Sequence, residues 1–337
     1  MHPLQRLRNV LQGAPVDRVP NFDIFMARAA HHIGARLSTY YLDHRVLCSA
    51  NLAVLEDFRL DIVQAISDPY REAADTGLDV EFPDDGLPSN RTPLIADPGD
   101  LGRIRFPVFE FGPRMTDRLE AIRSLHAAVG GEVPVMGWVE GALAEAADLR
   151  GVGNLMMDLV MNPGWVKELL ERCVEVEIAF ARAQVEAGAR IIGLGDAVAS
   201  QISPGMYREF ALSYERRIFD AVRQLGGVSR LHICGNTTHL LGDMASSGAE
   251  IIDIDWMVDM RHAVGRLDGA VVCGNIDPVA ILLQGTPEQV RDGVRANAAA
   301  GGRRWISAAG CEVPDGTPAV NLLAHHEALC ELAGQDG

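Results

Sequence analysis

The sequence predicts an α/β protein folded as a single (β/α)8 TIM barrel, and three observations predict it. From residue 130 onward, short apolar runs alternate with longer helical patterns, the signature of βαβ units and a parallel sheet. Eight such runs can be counted along the chain, the number a closed barrel needs. A chain of 337 residues with 48% hydrophobic content is long enough to bury the core of one large barrel rather than two doubly wound sheets.

The runs follow one another in order. An N-terminal extension leads into "VPNFDIF" (19–25) and "LDIVQAI" (60–66). The third to fifth strands are "VPVMGWVEG" (133–141), "ARIIGLGD" (189–196) and "VSRLHICG" (228–235). The last three are "EIIDIDW" (250–256), "GAVVCGNID" (269–277) and "RRWISAAGC" (303–311). Between them lie helices with readable starts. One helical pattern spans 203–226, with Ser203 as N-cap and Pro204 at the first helical position. Another opens on Thr286, Pro287 and Gln289 in a capping-box pattern. The Pro-, Gly- and Asp-rich stretch 67–130 is too long for one loop and reads as a long excursion after strand two, near the barrel mouth, of the kind that forms a lid. The whole chain, 1–337, reads as one domain.

Composition narrows the function. A formal net charge of −16 argues against a nucleic-acid surface, which would need clustered Lys and Arg. The start "MHPLQRLRNVLQG" has no long apolar region, and no run of about 18 apolar residues without a charge occurs, so a soluble, cytoplasmic protein is expected. Six cysteines spread over the chain suit free thiols or metal ligands better than a disulfide framework. Phosphate-cradling, dinucleotide-binding and nucleophile-elbow motifs are absent.

In a (β/α)8 barrel, chemistry collects at the C-terminal ends of the strands. Here those ends carry Asp68, Glu140, Asp196, His232 with Cys234, Asp253 with Asp255, Cys273 with Asn275, and Cys311 with Glu312. Residues two apart on a strand share a face, so His232 and Cys234 point the same way. A His-x-Cys pair supplies two of the nitrogen and thiolate donors that a tetrahedral zinc ion takes. The third donor is Cys311 or Cys273, and Glu140 or Asp196 can orient the histidine or fill a fourth position. The plain alternative is that these cysteines are small buried hydrophobes. Asn236 and Asn275, beside glycines, are candidate hydrogen-bond donors to a substrate or cofactor. His31, His32, His325 and His326 read as solvated helix positions.

With these residues in place, the chain resembles the uroporphyrinogen decarboxylase superfamily, and within it the corrinoid-dependent, methylcobamide:coenzyme M type methyltransferases. The resemblance rests on "RLRNVLQGAPVDRVPNF", "GDAVASQISPGMYREFALSYERRI", "LHICGNTTHLLGDMASSGAEIIDID", "CGNIDPVAILLQGTPEQV" and "SAAGCEVPDGTPAVNLLA". It implies a zinc ion on His232, Cys234 and Cys311, and methyl transfer between a corrinoid (methylcobamide) on a separate carrier protein and a small substrate such as a thiol, tetrahydrofolate or a methoxy compound. It leaves room for a homodimer. The decarboxylases carry an arginine-rich "RQAGRY" segment where this chain has "FMARAAHHIG". The methyltransferases usually have "GP" after strand three, where this chain reads "WVEGALAEAADLRG" and sets Glu140 toward the site. Catalytic roles accordingly fall to Glu140, Asp196 and Asp68. The first alternative is a lyase that decarboxylates through Asp68 without metal. The second is an inactive barrel that binds a corrinoid or a partner protein.

Overall fold

The computed structural model describes residues 1–105 and 110–333. Residues 106–109 of the expected excursion and 334–337 of the expected domain lie outside the described residues. Seven strands form one parallel sheet in sequence order: β1 (Val63–Gln64), β2 (Val135–Glu140), β3 (Ile191–Gly195), β4 (Val228–His232), β5 (Ile251–Asp253), β6 (Val271–Cys273) and β7 (Trp305–Ile306). They correspond to the second through eighth expected strands.

The first expected strand, 19–25, forms no regular ladder. It makes isolated parallel bridges, Asn21 with Ser307 and Ile24 with Glu312. Its backbone nonetheless meets both ends of the sheet. Phe22 N donates to Ser307 O at 2.9 Å on the β7 side, and Asp61 N donates to Asn21 O at 3.0 Å beside β1.

A buried side-chain chain fastens this segment. His325 is fully buried, not solvated as its sequence context suggests; its Nδ1 meets Asp23 Oδ2 at 3.0 Å and its Nε2 meets Ser307 Oγ at 2.7 Å. The linkage has the connectivity of a Ser–His–Asp triad. All three members are closed off from solvent, so it ties the C-terminal helix, Ala319–Ala333, to the first and last strand positions.

The strands are short and buried because both of their faces are covered, as expected of a parallel sheet. Alternation divides their side chains into two layers. Phe22, Met136, Trp138, Ile191, Val228 and Val271 form one cluster inside the curl of the sheet. Val139, Ile192, Leu194, Leu231, Ile252 and Val272 belong to the larger layer between sheet and helices. His232, two residues beyond Arg230 and four beyond Val228, therefore projects to the inner face.

Ser203 caps its helix by accepting from Met206 N, as expected, but the helix breaks at Ala211 into Pro204–Phe210 and Leu212–Gln224. The Thr286–Gln289 capping box forms as predicted. In the excursion, Arg71–Thr76 and Pro113–Val129 are helical, and Pro98–Arg103 forms a short 3₁₀ turn. None of the described helices is long and apolar enough to cross a membrane.

Candidate active site

Strand β4 ends by delivering His232 and Cys234 to the mouth, and the turn after β7 delivers Cys311. His232 Nε2 lies 3.8 Å from Cys311 Sγ. The neighbouring Cys311 thiol pulls the Cys234 thiol down to about 7. Cys234, with burial behind it, pushes Cys311 up to about 12.

The histidine is held from behind. Its Nδ1 bonds Asp253 Oδ2 at 2.9 Å, and Arg230 Nε grips the same carboxylate at 2.8 and 3.0 Å. Burial opposes charge on His232, but the bonds to Asp253 and Cys311 prevail and raise it to about 10. Burial likewise raises Asp253, and Arg230 and His232 overcome this to hold it below the usual carboxylate range. With Nδ1 turned to Asp253, Nε2 is the nitrogen that faces Cys311.

Cys273 lies apart from this group. It sits on the inner face below the mouth, 1% exposed, with its sulfur 3.6 Å from Arg230 Nη2. Of the two candidates for the third donor, Cys311 is the one brought to His232 and Cys234. The trio is open: among the described residues, the His, Cys, Asp and Glu group whose ligand atoms all fall within 4.8 Å of one another is Asp43, His44 and Asp117. None of those three lines the cavity at the mouth, and their ion pairs are His44 with Asp117 and Asp43 with Arg45. Asp43 caps Arg45, and Asp117 accepts from both His44 and Arg118.

A cavity of about 160 Å³ opens over His232 and Cys311. Its apolar wall includes Ile24, Met26, Ile66 and Trp138, the last with its ring centre 6.0 Å from that of His232. Its polar wall is Asp68, Arg71, Glu140 and Glu312. Glu140 Oε1 accepts from Arg71 Nη2 at 2.8 Å, yet burial still raises the carboxyl to about 7. Asp68 accepts from Ser67 Oγ at 2.7 Å, from Tyr70 N at 3.1 Å and from Arg114. Burial works against its charge, and Arg114 and Arg71 outweigh it and keep Asp68 ionised.

Two expected roles meet a different geometry. Asp196, expected to handle protons at the mouth, does not line the cavity, although its neighbours Gly195 and Ala197 do. Strand alternation turns it outward, where a Cβ on Gly141 would lie 2.5 Å from its carboxyl carbon. It is fully buried there, and burial beside Glu215 raises it well above the usual range. Asn275, expected to donate to a ligand, instead donates to the carbonyls of Asp255 at 3.0 Å and Val258 at 2.6 Å. Asn236 is exposed at the mouth, with its Oδ1 accepting from Thr238 N in a local turn.

The supporting residues act through partners on other strands or far along the chain. Asp253 pairs in register with His232 on the neighbouring strand, so aligning the "HIC" and "DID" runs would have exposed it. Arg71 carries no local signal, because its partner Glu140 lies 69 residues away.

The family model of uroporphyrinogen decarboxylase (URO-D) matches residues 2–332. The methylcobamide:CoM methyltransferase MtbA of Methanosarcina mazei is 32% identical over 329 residues, 95% of each chain. The uroporphyrinogen decarboxylase of Xanthomonas axonopodis pv. citri is 28% identical over 309 residues, covering 85% of this chain and 84% of its own. Among solved structures, a methyltransferase from Methanosarcina mazei superposes with a TM-score of 0.89 at 26% identity, over 98% of this chain and 99% of that one.

Proposed function

The chain belongs to the uroporphyrinogen decarboxylase family, and from that premise we propose that it is a zinc-dependent methyltransferase. It moves a methyl group between a corrinoid, presented by a carrier protein, and a small substrate such as a thiol, tetrahydrofolate or a methoxy compound. The observation that carries this reading is the convergence of His232 Nε2, Cys311 Sγ and the Cys234 sulfur at the mouth, with His232 anchored on Asp253. The MtbA relative supports the corrinoid and a thiol as methyl carriers.

The donor set suits zinc in its chemistry: one imidazole nitrogen, which would give up its proton to the ion, and two sulfurs, one of them already inclined to the thiolate. His232, Cys234 and Cys311 would hold the ion, which supplies Lewis acidity that keeps a bound thiol deprotonated near neutral pH. Asp253 fixes the histidine tautomer and ring orientation, and Arg230 fixes Asp253. Trp138, Ile24 and Ile66 keep water from the reacting end of the substrate. Glu140, on the cavity wall and titrating near 7, takes up the proton that a thiol releases and returns it in the reverse direction.

We read the fold as a (β/α)8 barrel across 1–337, with 19–25 in the eighth position. Six free cysteines among the described residues support a reducing, cytoplasmic setting. Metal analysis tests the proposal directly, with about one zinc per chain expected. Methyl transfer from methylcobalamin should be abolished in Cys234→Ala and Cys311→Ala while folding survives. A zinc-free chain with full turnover would overturn the mechanism. Incubation with uroporphyrinogen should yield no coproporphyrinogen; its formation would favour a lyase working through Asp68.

A further inference from the structure

Beside the polar wall of the cavity stands a group of carboxyls that the proposed methyl transfer leaves without a role. Glu140 lines the cavity. Its neighbours are Glu72 from the helix Arg71–Thr76, Glu145 and Asp148 from the helix Ala142–Arg150, and Glu177 from the helix Pro163–Glu186. Glu72 is common to them all: its charge acts on Glu140, Glu145, Asp148 and Glu177, and its Oε1 lies 3.4 Å from the Glu140 backbone nitrogen. The cation that acts on every member is Arg71, whose Nη2 is shared between Glu140 at 2.8 Å and Glu72 at 3.4 Å. Asp68, also near, is taken by Arg114, and the Cys173 thiol borders Glu145, Asp148 and Glu177. One guanidinium does not neutralise five carboxylates, so the group holds protons.

Glu145 is 1% exposed and Glu177 is fully buried, and neither oxygen of either has a partner among the described residues. A buried polar atom without a partner is costly. A carboxyl so placed is relieved by sharing a proton with a neighbouring carboxyl or by a bridging water, and both links pass protons. The group is too spread to cage an ion: among the described residues, no three of its members bring oxygens within 4.8 Å of one another. Asp148 shares a helix face with Glu145, is partly exposed and does not line the cavity, so it gives the group a separate outlet.

An outlet matters because the cavity is small, about 160 Å³, with an apolar side of Ile24, Met26, Ile66 and Trp138. A corrinoid carrier seated on the mouth would close the direct way out for a proton released inside. Taking the proposed methyl transfer as given, we propose that Glu72, Glu145 and Asp148 form a buried proton path from Glu140 to solvent, with Glu177 as a side branch. A thiol gives its proton to the Glu140 carboxylate and keeps the electron pair on sulfur. Glu140 passes a proton to Glu72, protons held by the inner carboxyls shift one place outward, and Asp148 releases one to water. One proton enters, one leaves, and nothing is oxidised. Burial raises Glu145, Asp148 and Glu177 well above the usual carboxylate range, so the protons the relay needs are in place at neutral pH.

Infrared spectroscopy tests the path without turnover and without metal. Protonated carboxyls show their own carbonyl stretch, and the bands lost in Glu145→Gln and in Glu177→Gln assign those two groups. On transfer to heavy water the assigned bands should shift within seconds, while backbone amides of the sheet stay unexchanged for far longer. Bands that shift only together with those amides, or spectra in which neither substitution removes a band, would overturn the path. Asp148→Leu should slow the shift of the Glu145 band, and an unchanged rate would overturn Asp148 as the outlet. With zinc bound, methylcobalamin as donor and 2-mercaptoethanol as acceptor, Glu145→Gln should lower kcat about 100-fold, the low end for loss of a proton-transfer group. KM and zinc content should hold, and Glu145→Asp should recover part of the rate. Wild-type kcat in Glu145→Gln would overturn its place in the relay. A wild-type chain that transferred no methyl group would sink the proposed function, while the infrared exchange would still decide the path.

Discussion

His232 Nδ1 and Asp253 Oδ2 stand 2.9 Å apart, on residues paired in register across β4 and β5. A ring nitrogen held in this way leaves Nε2 as the imidazole donor that faces Cys311, and it resists rotation of the ring. Asp253→Asn is therefore expected to weaken zinc binding about 10- to 100-fold, measured by competition with a chromogenic chelator. An unchanged affinity would show that the ring is positioned by packing against Trp138 instead.

Buried carboxyls set how stability depends on pH. Glu145, Glu177 and Asp196 are buried, their oxygens lack partners among the described residues, and burial raises all three well above the usual range. The folded chain keeps protons on them that the unfolded chain loses above about pH 4. Their contribution is complete below that point and is lost as pH rises. Asp23, Asp68 and Asp253 are held low, so their contribution is present above the same point and lost as pH falls. The chain should be most stable in weakly acidic solution and lose stability toward pH 9. Glu177→Gln should raise Tm at pH 8 and leave it nearly unchanged at pH 5, an effect of about 1–3 kcal/mol in thermal melts.

Gly193 in β3 makes room for the Trp138 ring: a Cβ there would lie 2.2 Å from the ring edge. Gly193→Ala should push the indole toward His232 and destabilise the fold by about 1–3 kcal/mol. Denaturant unfolding and a shift in tryptophan emission would register the change. Wild-type stability with unshifted emission would mean that the ring has slack.

Asp68→Ala removes the carboxylate that partners the buried Arg114 guanidinium. Leaving that charge unpaired is expected to cost about 3–5 kcal/mol, read by chemical denaturation. Asp68→Asn retains an acceptor and should lose less. If both variants melted like the wild type, the pair would be dispensable to the fold.

Much of this architecture can be read along the chain because periodicity reports burial. The two-residue spacing of His232 and Cys234 put them on one face, and the strand-end position of Cys311 put it at the same mouth. What escaped was set by partners distant in sequence. His325 looks like a surface helix residue until Asp23 and Ser307, contributed by opposite ends of the chain, close around it. Asp196 sits one residue past an inward-facing glycine, and that single step reverses its direction. Asn275 looked available because nothing local shows that the carbonyls of Asp255 and Val258 already engage its amide.

The 79 residues that separate His232 from Cys311, together with the bond from Ala27 N to Glu312 Oε1 at 3.0 Å, carry a consequence for biogenesis. A nascent chain that has not yet made residue 311 holds two of the three members of the sulfur and nitrogen cluster, and the wall contributed by Glu312 is missing with Cys311. If the proposed zinc site is right, metal capture would therefore follow completion of synthesis rather than guide it. Any proteolytic clip that frees the C-terminal segment would dismantle the centre while most of the sheet stayed paired, so loss of metal would be an early sign of damage to the chain.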